Sequence, residues 1–272
     1  MSIISLSSDL GENNFNIAQL KTAIYRRFPE SKLIDLYHQS EAYDIESIAY
    51  QVLGAIETFP EESIHVIYGM YSVSKYDILI TKIQNQYIIA PNNGLLSLIH
   101  FMDYQAPIYS LSYPSEPFTY KTYREQVLNA MDVILQNQLK TLSETISIAH
   151  SKPFNTDLAI LDNRIITRVI HTNTQGNIIL NIRKDEFSQF FKDKPFYILF
   201  YTIKIYQLSP NYTTTYNNNR IGALFNETGF LELFMNGDKL SKLFNINKWT
   251  NNKFEIFIDH DTNSQINFQA RT

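Results

Sequence analysis

The stretch Ile3-Ile4-Ser5-Leu6-Ser7-Ser8-Asp9-Leu10-Gly11 decides the first part of the fold, because an apolar run ends there at a carboxylate followed by a glycine. A helical pattern begins shortly afterwards, near Asn16. In an open α/β sheet, ligands bind outside the carboxyl ends of the strands. Asp9 at such an edge can accept two hydrogen bonds from a sugar diol, or it can simply cap the helix that follows.

The composition predicts a globular protein and excludes several kinds of site. Of the 272 residues, 44% are hydrophobic and 18% are charged, and the net charge of −4 gives no general attraction to nucleic acid or to an anionic membrane. The chain has no cysteine, which excludes disulfides, thiolate metal ligands and cysteine nucleophiles. Neither a signal peptide nor a long apolar span is recognisable, so we predict a soluble cytoplasmic protein without nucleic-acid or membrane partners.

The histidines and glycines indicate neither a metal site nor a nucleoside triphosphate site. The six histidines are isolated from one another and lack the spacing of metal ligands. No glycine-rich phosphate loop occurs. We therefore predict no metal cofactor.

Strand-like and helix-like segments alternate from Ile3 to about Leu139, which is typical of βαβ units. We predict an α/β domain over residues 1–145 with a mainly parallel sheet. Its helices begin near Asn16, after Asp44, and behind the turn Pro91–Gly94. The expected strands are Ile3–Ser7, Leu33–Tyr37 and Ile64–Met70, with a possible hairpin of Asp77–Ile83 and Gln86–Ala90.

A further helix is the most regular local pattern of the chain. Thr122 and Glu125 have the spacing of a capping box, which makes Thr122 the residue directly before the helix. One apolar stripe then follows at helical spacing and predicts the buried face: Val127, Ala130, Met131, Ile134, Leu135, Leu139 and Leu142.

The second part of the chain has a different character. The pattern weakens between about Lys140 and Asn163, and we place a domain boundary there. The later segments look mostly like strands, which favours a smaller all-β domain of barrel or sandwich type over residues 160–272. The expected strands are Ile165–Ile170, Asn177–Ile182, Phe196–Leu208, Ile221–Phe225, Phe230–Met235 and Phe254–Ile258.

Several short blocks occur in an order that resembles one enzyme family, the S-adenosylmethionine (SAM) hydroxide adenosyltransferases with the related fluorinases and chlorinases. The resemblance covers about residues 3–125 and 165–240. The seven-residue run Ala90–Leu96 is a fairly specific signal among these blocks. The blocks are Ser8–Gly11, Ile17–Lys21, Ile34–His38, Tyr43–Glu46, Phe59–Glu61 before Ile64–Val66, Ala90–Leu96, Gly176–Ile182 and Asn226–Leu233.

The resemblance implies a fold, an assembly and a reaction. Members of the family have an N-terminal α/β domain and a C-terminal β-barrel domain. They form homotrimers, with SAM between the N-domain of one subunit and the C-domain of its neighbour. Their reaction displaces methionine from the ribose C5′ with water or halide. The implied ligand is thus an adenosyl small molecule, with no cofactor beyond SAM itself.

The resemblance also implies binding residues in the first domain. Asp9 matches the carboxylate that binds the ribose hydroxyls, and Asn16 falls where the halogenases have a Ser near the methionine end. Tyr43 stands where those enzymes carry a Trp beside the ligand. Asn93, in the Ala90–Leu96 block, is also assigned to the binding site.

In the second domain, the resemblance implies three binding residues. Tyr212 aligns with an aromatic that stacks on adenine, while Asn177 and Asn226 lie in blocks around the adenine and the amino-acid portion. By residue type alone, the two asparagines could equally be turn residues. Tyr212, like Tyr43, could equally be a core aromatic.

The sequence departs from the family where the nucleophile is held. Met70 stands where the water-using members have an Asp, and Lys75 is the nearest cation to the position of the family Arg. Tyr123 replaces the family His. If the protein is an enzyme, Tyr123 and Lys75 are therefore the candidate catalytic groups.

A second departure concerns the methionine end of the site. Gln175 replaces a Phe, and Thr172 or Asn173 replaces the Asp that meets the substrate amino group. Arg124 matches a family Arg, although it could simply belong to the start of a helix.

Two functional hypotheses follow. In the first, the protein binds SAM and transfers its adenosyl group to water or another nucleophile. In the second, it is a non-catalytic homologue that binds a nucleoside, or only a partner, and serves a structural or regulatory role. A third reading, an unrelated Tyr-rich binding module, would require the ordered blocks to be coincidence.

Overall fold

The computed structural model describes residues 2–38, 44–69, 77–100, 105–111, 119–145, 148–149, 154–192, 194–216, 219–249 and 253–260. The chain divides into two compact units, Met1–Pro153 and Phe154–Thr272. The division falls inside the segment from Lys140 to Asn163, where the sequence pattern weakens.

The first unit packs helices against one sheet. Within the described residues, the sheet has the strand order β2-β1-β3-β5-β4-β6-β7. Ile4, Leu6, Ile64 and Val66 on its strands are buried among apolar side chains of α1 and α4. The elements are β1 (Ile3–Ser8), α1 (Phe15–Arg27), β2 (Lys32–His38), α2 (Ile45–Ile56), β3 (Ile64–Ile67), β4 (Ile78–Ile83), β5 (Gln86–Pro91), α3 (Leu95–Ile99), β6 (Ile108–Leu111), α4 (Tyr120–Leu135) and β7 (Ser143–Glu144).

The sheet of the first unit is mixed, so the prediction of a mainly parallel sheet was wrong. β2, β1, β3 and β5 run parallel, but β4, β6 and β7 pair with their neighbours antiparallel. The predicted hairpin is the reason: Gln84 and Asn85 both have positive φ (47° and 60°), so the chain reverses in two residues between β4 and β5. A two-residue reversal can only produce an antiparallel pair.

Helix α4 begins one turn before the predicted start. Thr119 is the N-cap: its hydroxyl accepts from Thr122 N at 3.0 Å, while Thr122 Oγ1 accepts from Thr119 N at 2.9 Å. Thr122 thus fills the third position of the capping box that the sequence analysis gave to Glu125. The helix ends at Leu135, and a short 3-10 turn at Leu139–Thr141 follows. Asp44 caps α2 as expected, because its carboxylate accepts from Ser47 N at 2.9 Å.

A buried histidine lies in the centre of this sheet. His65 is fully buried; Ser5 Oγ lies 2.7 Å from its Nδ1, and Gln86 Oε1 lies 2.8 Å from its Nε2. Because the Gln86 amide nitrogen donates to Ile56 O, its oxygen faces the ring, so the ring donates from Nε2 and accepts from Ser5 at Nδ1. Burial lowers the pKa of His65, and the bond to Gln86 offsets this only in part.

The buried His65 predicts a pH-dependent stability. The unfolded chain takes up a proton near pH 6.5, while the folded chain resists it until lower pH. The free energy of unfolding should therefore fall as the pH drops below 6.5, by about 1.4 kcal/mol for each pH unit between the two pKa values. His65→Gln removes this titration, so the stability difference between wild type and variant, measured by urea unfolding, should shrink on acidification.

The control for this prediction is His260→Gln, because His260 is exposed. Its urea unfolding should follow the wild type at each pH. A difference between wild type and His65→Gln that does not change from pH 8 to pH 5 would contradict the prediction.

The second unit is built on one antiparallel sheet that is nearly closed and barrel-like, as predicted. Its strand order within the described residues is β12-β11-β15-β9-β10-β14-β13, with β8 paired to β9. The predicted strand Phe196–Leu208 is in fact two strands, because Tyr201, with φ of 51°, reverses the chain. The elements are β8 (Ala159–Ile160), β9 (Arg164–Thr172), β10 (Ile178–Arg183), α5 (Lys184–Phe191), β11 (Phe196–Phe200), β12 (Ile203–Ile205), β13 (Ile221–Phe225), β14 (Phe230–Met235), α6 (Leu240–Leu243) and β15 (Lys253–Ile258).

Strand β14 has two different faces. Leu231 and Leu233 point into the barrel core, where they pack against side chains such as Ile178 and Ala223. Since neighbouring side chains on a strand point to opposite sides, Glu232 and Phe234 lie on the outer face of the sheet. They are nevertheless buried, at 3% and 2% exposure.

No helix within the described ranges combines the length and the apolar character needed to cross a membrane.

Candidate functional site

Asp9 lies where the sequence analysis places it, directly after β1 at the carboxyl edge of the parallel strands. Gly69 follows β3, which is the neighbour of β1 in the sheet. A Cβ atom on Gly69 would stand 2.3 Å from Asp9 Oδ1, and the φ of Gly69 is +117°. The Asp9 carboxylate therefore lies against the backbone of Gly69, in a space that only glycine leaves open.

Asn93 and Asn16 lie after strand ends on the same edge of the sheet. Asn93 follows β5, the strand next to β3, and its Oδ1 accepts from the backbone N of Leu95, the first residue of α3, at 3.1 Å. Asn16 is buried in the first turn of α1, where its backbone N and its Nδ2 both donate to Asn14 Oδ1, at 2.9 and 3.1 Å. The edge thus carries Asp9, Asn16 and Asn93, with the last two held by local hydrogen bonds.

A Ser–His–Asp chain, which the sequence analysis missed, supports the turn that carries Asp9. Ser8 Oγ lies 2.8 Å from His38 Nδ1, and His38 Nε2 lies 2.9 Å from Asp35 Oδ1. Ser8 Oγ also accepts from Leu10 N at 3.4 Å, so the chain of bonds reaches the residues on both sides of Asp9. Burial would raise the pKa of Asp35, but hydrogen bonds from Lys21 and His38 outweigh it and lower that pKa.

The hydrogen-bonded series of Ser8, His38 and Asp35 is not arranged for nucleophilic catalysis. Ser8 is fully buried, whereas the side chain of Asp35 is 49% exposed. A nucleophilic serine needs the opposite order, with the hydroxyl accessible and the carboxylate buried behind the histidine. The geometry instead supports the backbone around Asp9.

Tyr123 lies in the core of the first unit. Its side chain has no exposed surface, its hydroxyl donates to Ile67 O at 3.0 Å, and its ring packs 5.2 Å from the ring of Tyr68. A group that transfers protons must reach the substrate. Catalysis by Tyr123 stays a prediction, and it would require this aromatic packing to open.

Other predicted positions are placed as follows. Tyr43, Met70 and Lys75 lie outside the described residues. Arg124, on α4, donates from Nη1 to Gln19 Oε1 at 2.8 Å and so links α4 to α1.

In the second unit, all three predicted binding residues converge on Glu232. Asn177 Nδ2 donates to Glu232 Oε1 at 2.8 Å, and Asn226 Nδ2 donates to Glu232 Oε2 at 2.9 Å. The Tyr212 hydroxyl donates to Glu232 Oε2 at 3.2 Å, and Asn173 Nδ2 lies 3.5 Å from Oε1. Residues that are far apart in sequence thus surround one buried carboxylate.

Tyr212 is an exposed aromatic with a fixed orientation. Its ring is edge-on to the ring of Phe234 at 5.4 Å, and 46% of the residue is exposed. Phe234 itself occupies the space above Gly222, where a Cβ atom would lie 2.4 Å from its Cζ. With its hydroxyl on Glu232 and its ring packed against Phe234, Tyr212 is suited to stack against a flat ligand.

The two asparagines differ in what remains available to a ligand. Asn226 Oδ1 accepts from Thr228 N at 3.1 Å and from Phe230 N at 3.2 Å, so Asn226 is a turn residue that also binds Glu232. Asn177 Oδ1 accepts no hydrogen bond from any described residue. Because Asn177 is half-buried rather than enclosed, its oxygen can serve a ligand.

Glu232 was not predicted as a site residue. One signal was present: a carboxylate in the middle of the apolar strand Phe230–Met235. Such a residue is either an outward-facing polar position or a buried one with partners, and the pattern alone does not separate the two. Metal ligation is a separate question: across the described residues, no group of three or more His, Asp or Glu side chains could hold a metal ion.

Comparison with known proteins connects both units to one family. Residues 4–148 match the SAM hydroxide adenosyltransferase N-terminal domain, and residues 167–252 match the C-terminal domain of the same family. The (R)-S-adenosyl-L-methionine hydrolase of Methanocaldococcus jannaschii is 26% identical over 264 residues, which cover 90% of this chain and 93% of that protein.

Two solved structures share the fold over nearly the whole chain. An uncharacterized protein from Thermotoga maritima superposes with a TM-score of 0.77 at 20% identity, covering 93% of this chain and 99% of that one. A hypothetical protein from Thermus thermophilus superposes with a TM-score of 0.68 at 15% identity, covering 95% and 100%. Since the two family matches together span most of the sequence, the chain belongs to the SAM hydroxide adenosyltransferase family.

Proposed function

We propose that this protein cleaves SAM at the ribose C5′ to give adenosine and methionine. One observation carries the proposal: Asn177, Tyr212 and Asn226, chosen by family resemblance alone, gather around a single carboxylate, Glu232. The relative from Methanocaldococcus jannaschii, an (R)-S-adenosyl-L-methionine hydrolase, supports the same reaction class.

The reaction balances without a cofactor. A water oxygen attacks C5′ while the bond from C5′ to the sulfonium sulfur breaks, and the bonding electron pair goes to sulfur. Methionine leaves as a neutral thioether, so no general acid is needed, and the attacking water loses a proton to solvent. The protein's task is to align the two reactants and to limit the hydration of the nucleophile.

We assign the nucleoside to groups that the family resemblance places in the first unit of one subunit and in the second unit of its neighbour. Asp9 would accept hydrogen bonds from the two ribose hydroxyls, and Tyr212 would stack on the adenine. Asn177 would accept from the adenine through its open Oδ1. Asn16 and Asn93 stay predicted neighbours of the ligand, since their described bonds already give them local structural roles.

A binding protein without turnover is the second candidate, and the position of Tyr123 favours it. The residue that replaces the family His is fully buried, and its hydroxyl donates a hydrogen bond to Ile67 O. In this reading, Asp9, Asn177 and Tyr212 bind an adenosyl ligand that the protein does not cleave.

Incubation of the purified protein with SAM, followed by chromatography, separates the two candidates. The proposal expects adenosine and methionine in equal amounts, at a rate proportional to protein concentration. Asp185→Asn is the matched control, because the side chain of Asp185 is 82% exposed, and it should release the products at the wild-type rate. Thermal stabilisation by SAM without any product would favour the binding protein. The absence of both product and thermal stabilisation would refute both candidates.

We further propose that the protein assembles as a homotrimer with sites at the subunit interfaces, as the resemblance implies. Light scattering at micromolar concentration should then give three times the chain mass of 31.7 kDa. A mass of one chain would contradict the trimer and, with it, any site shared between subunits.

A further inference from the structure

We propose that Glu232 is a positioning residue that fixes the direction of the Asn177 amide, so that the protein selects a 6-aminopurine over a 6-oxopurine. The inference rests on the proposed function, because it treats Asn177 as a group that meets the base. It goes further by assigning base selectivity to a residue that does not itself contact the ligand.

Glu232 is a buried carboxylate whose hydrogen-bond partners among the described residues are all neutral. It is 3% exposed, and its four donors are two close asparagine amides, the Tyr212 hydroxyl and the more distant Asn173. Within the described part of the chain, no lysine or arginine forms an ion pair with it. Removing a carboxylate from water costs desolvation free energy. Here that cost is offset only by hydrogen bonds from neutral donors.

An ionised carboxylate dictates how its neighbours are oriented. It can only accept hydrogen bonds, so Asn177 must present its NH₂ group and Tyr212 must present its O–H. The Asn177 oxygen is thereby turned away from Glu232. With a neutral group in place of Glu232, either end of the Asn177 amide could face it.

Of the two close amides, only that of Asn177 has an oxygen available to a ligand, so only its orientation can affect ligand binding. The Asn226 oxygen is already used by Thr228 N and Phe230 N. The Asn177 oxygen accepts nothing from the described residues, and both Asn177 and Tyr212 are tied to the same carboxylate. An open acceptor therefore lies close to the exposed aromatic ring.

The consequence is a preference between bases. An exposed amide oxygen accepts from the amino group at purine position 6, but it meets a second acceptor when that position carries an oxo group. Two acceptors that face each other without a donor between them typically lower the affinity by about tenfold or more. The device selects adenine without any charged contact to the base.

The test is calorimetric titration with two probes, adenosine and inosine, which differ in the group at position 6. Wild type should bind adenosine at least about tenfold more tightly than inosine. In Glu232→Gln, whose side chain both donates and accepts, the Asn177 amide can turn, so the ratio should fall towards one while both probes still bind. Glu255→Gln, which alters a charge elsewhere in the same unit, should keep the wild-type ratio.

A second variant keeps the test decisive if Glu232→Gln does not fold. Asn177→Ala leaves Glu232 with its other donors, and it should weaken adenosine binding by about tenfold without weakening inosine binding. An unchanged ratio in either variant, or an equal loss for both probes, would overturn the inference and leave the proposed function standing. If wild type binds neither probe, the inference fails, while the proposed function is decided separately by the cleavage of SAM.

Discussion

Asp9→Ala is expected to reduce kcat/KM for SAM cleavage by about 100-fold or more, because two charge-assisted hydrogen bonds to the ribose are lost together. The Asp9 carboxylate lies against Gly69, at the carboxyl edge of the parallel strands. The ribose carries the carbon under attack, so a ribose that is no longer held also misaligns C5′ with the water. Initial rates over a range of SAM concentrations measure the effect.

Asp9→Asn refines this prediction. The amide keeps one acceptor but replaces the other with a donor, so its activity should lie between those of wild type and Asp9→Ala. Circular dichroism and thermal unfolding should show that all three proteins are folded. A kcat/KM for Asp9→Ala within twofold of wild type would remove Asp9 from the site.

Gly69→Ala is expected to have the second largest effect, and to affect both stability and activity. The φ of +117° is unfavourable for alanine, and the new Cβ would stand 2.3 Å from Asp9 Oδ1. The strained backbone should cost about 1–3 kcal/mol of stability. The displaced Asp9 carboxylate should lower kcat/KM by about tenfold or more, because it no longer meets the ribose in the productive geometry.

Gly237→Ala separates the effect of backbone strain from the effect of the steric clash with Asp9. Gly237 also has a positive φ, of +76°, but the nearest atom to an added Cβ is Arg220 Nη2, at 3.4 Å. Both variants should lose thermal stability, whereas only Gly69→Ala should lose activity beyond what its unfolded fraction explains. Equal activities for the two variants would mean that Gly69 serves the fold alone.

Much of the fold could be predicted from local patterns. The apolar run before Asp9 forms β1, and the Pro91–Gly94 turn is followed by a helix, because turn and capping chemistry act over a few residues. The direction of the strands was harder to predict. The hairpin at Gln84 and Asn85 was expected, but β6 and β7, which extend the antiparallel part of the sheet, were not.

The candidate site was predictable in its members but not in its organisation. Resemblance placed Asn177, Tyr212 and Asn226 around one ligand, but it gave no reason within the protein for their side chains to meet. The reason is Glu232, which lies on the face of β14 opposite the barrel core. Its burial depends on contacts with segments more than 50 residues away, such as that of Asn177, and no local pattern contains them.

The reaction itself is tested most directly by cleaving SAM in water enriched in oxygen-18 and analysing the adenosine by mass spectrometry. Attack of water on C5′ predicts that the label enters the 5′-hydroxyl of adenosine and is absent from methionine. Adenosine without the label would contradict water as the nucleophile at C5′, and a different cleavage product would contradict the displacement of methionine.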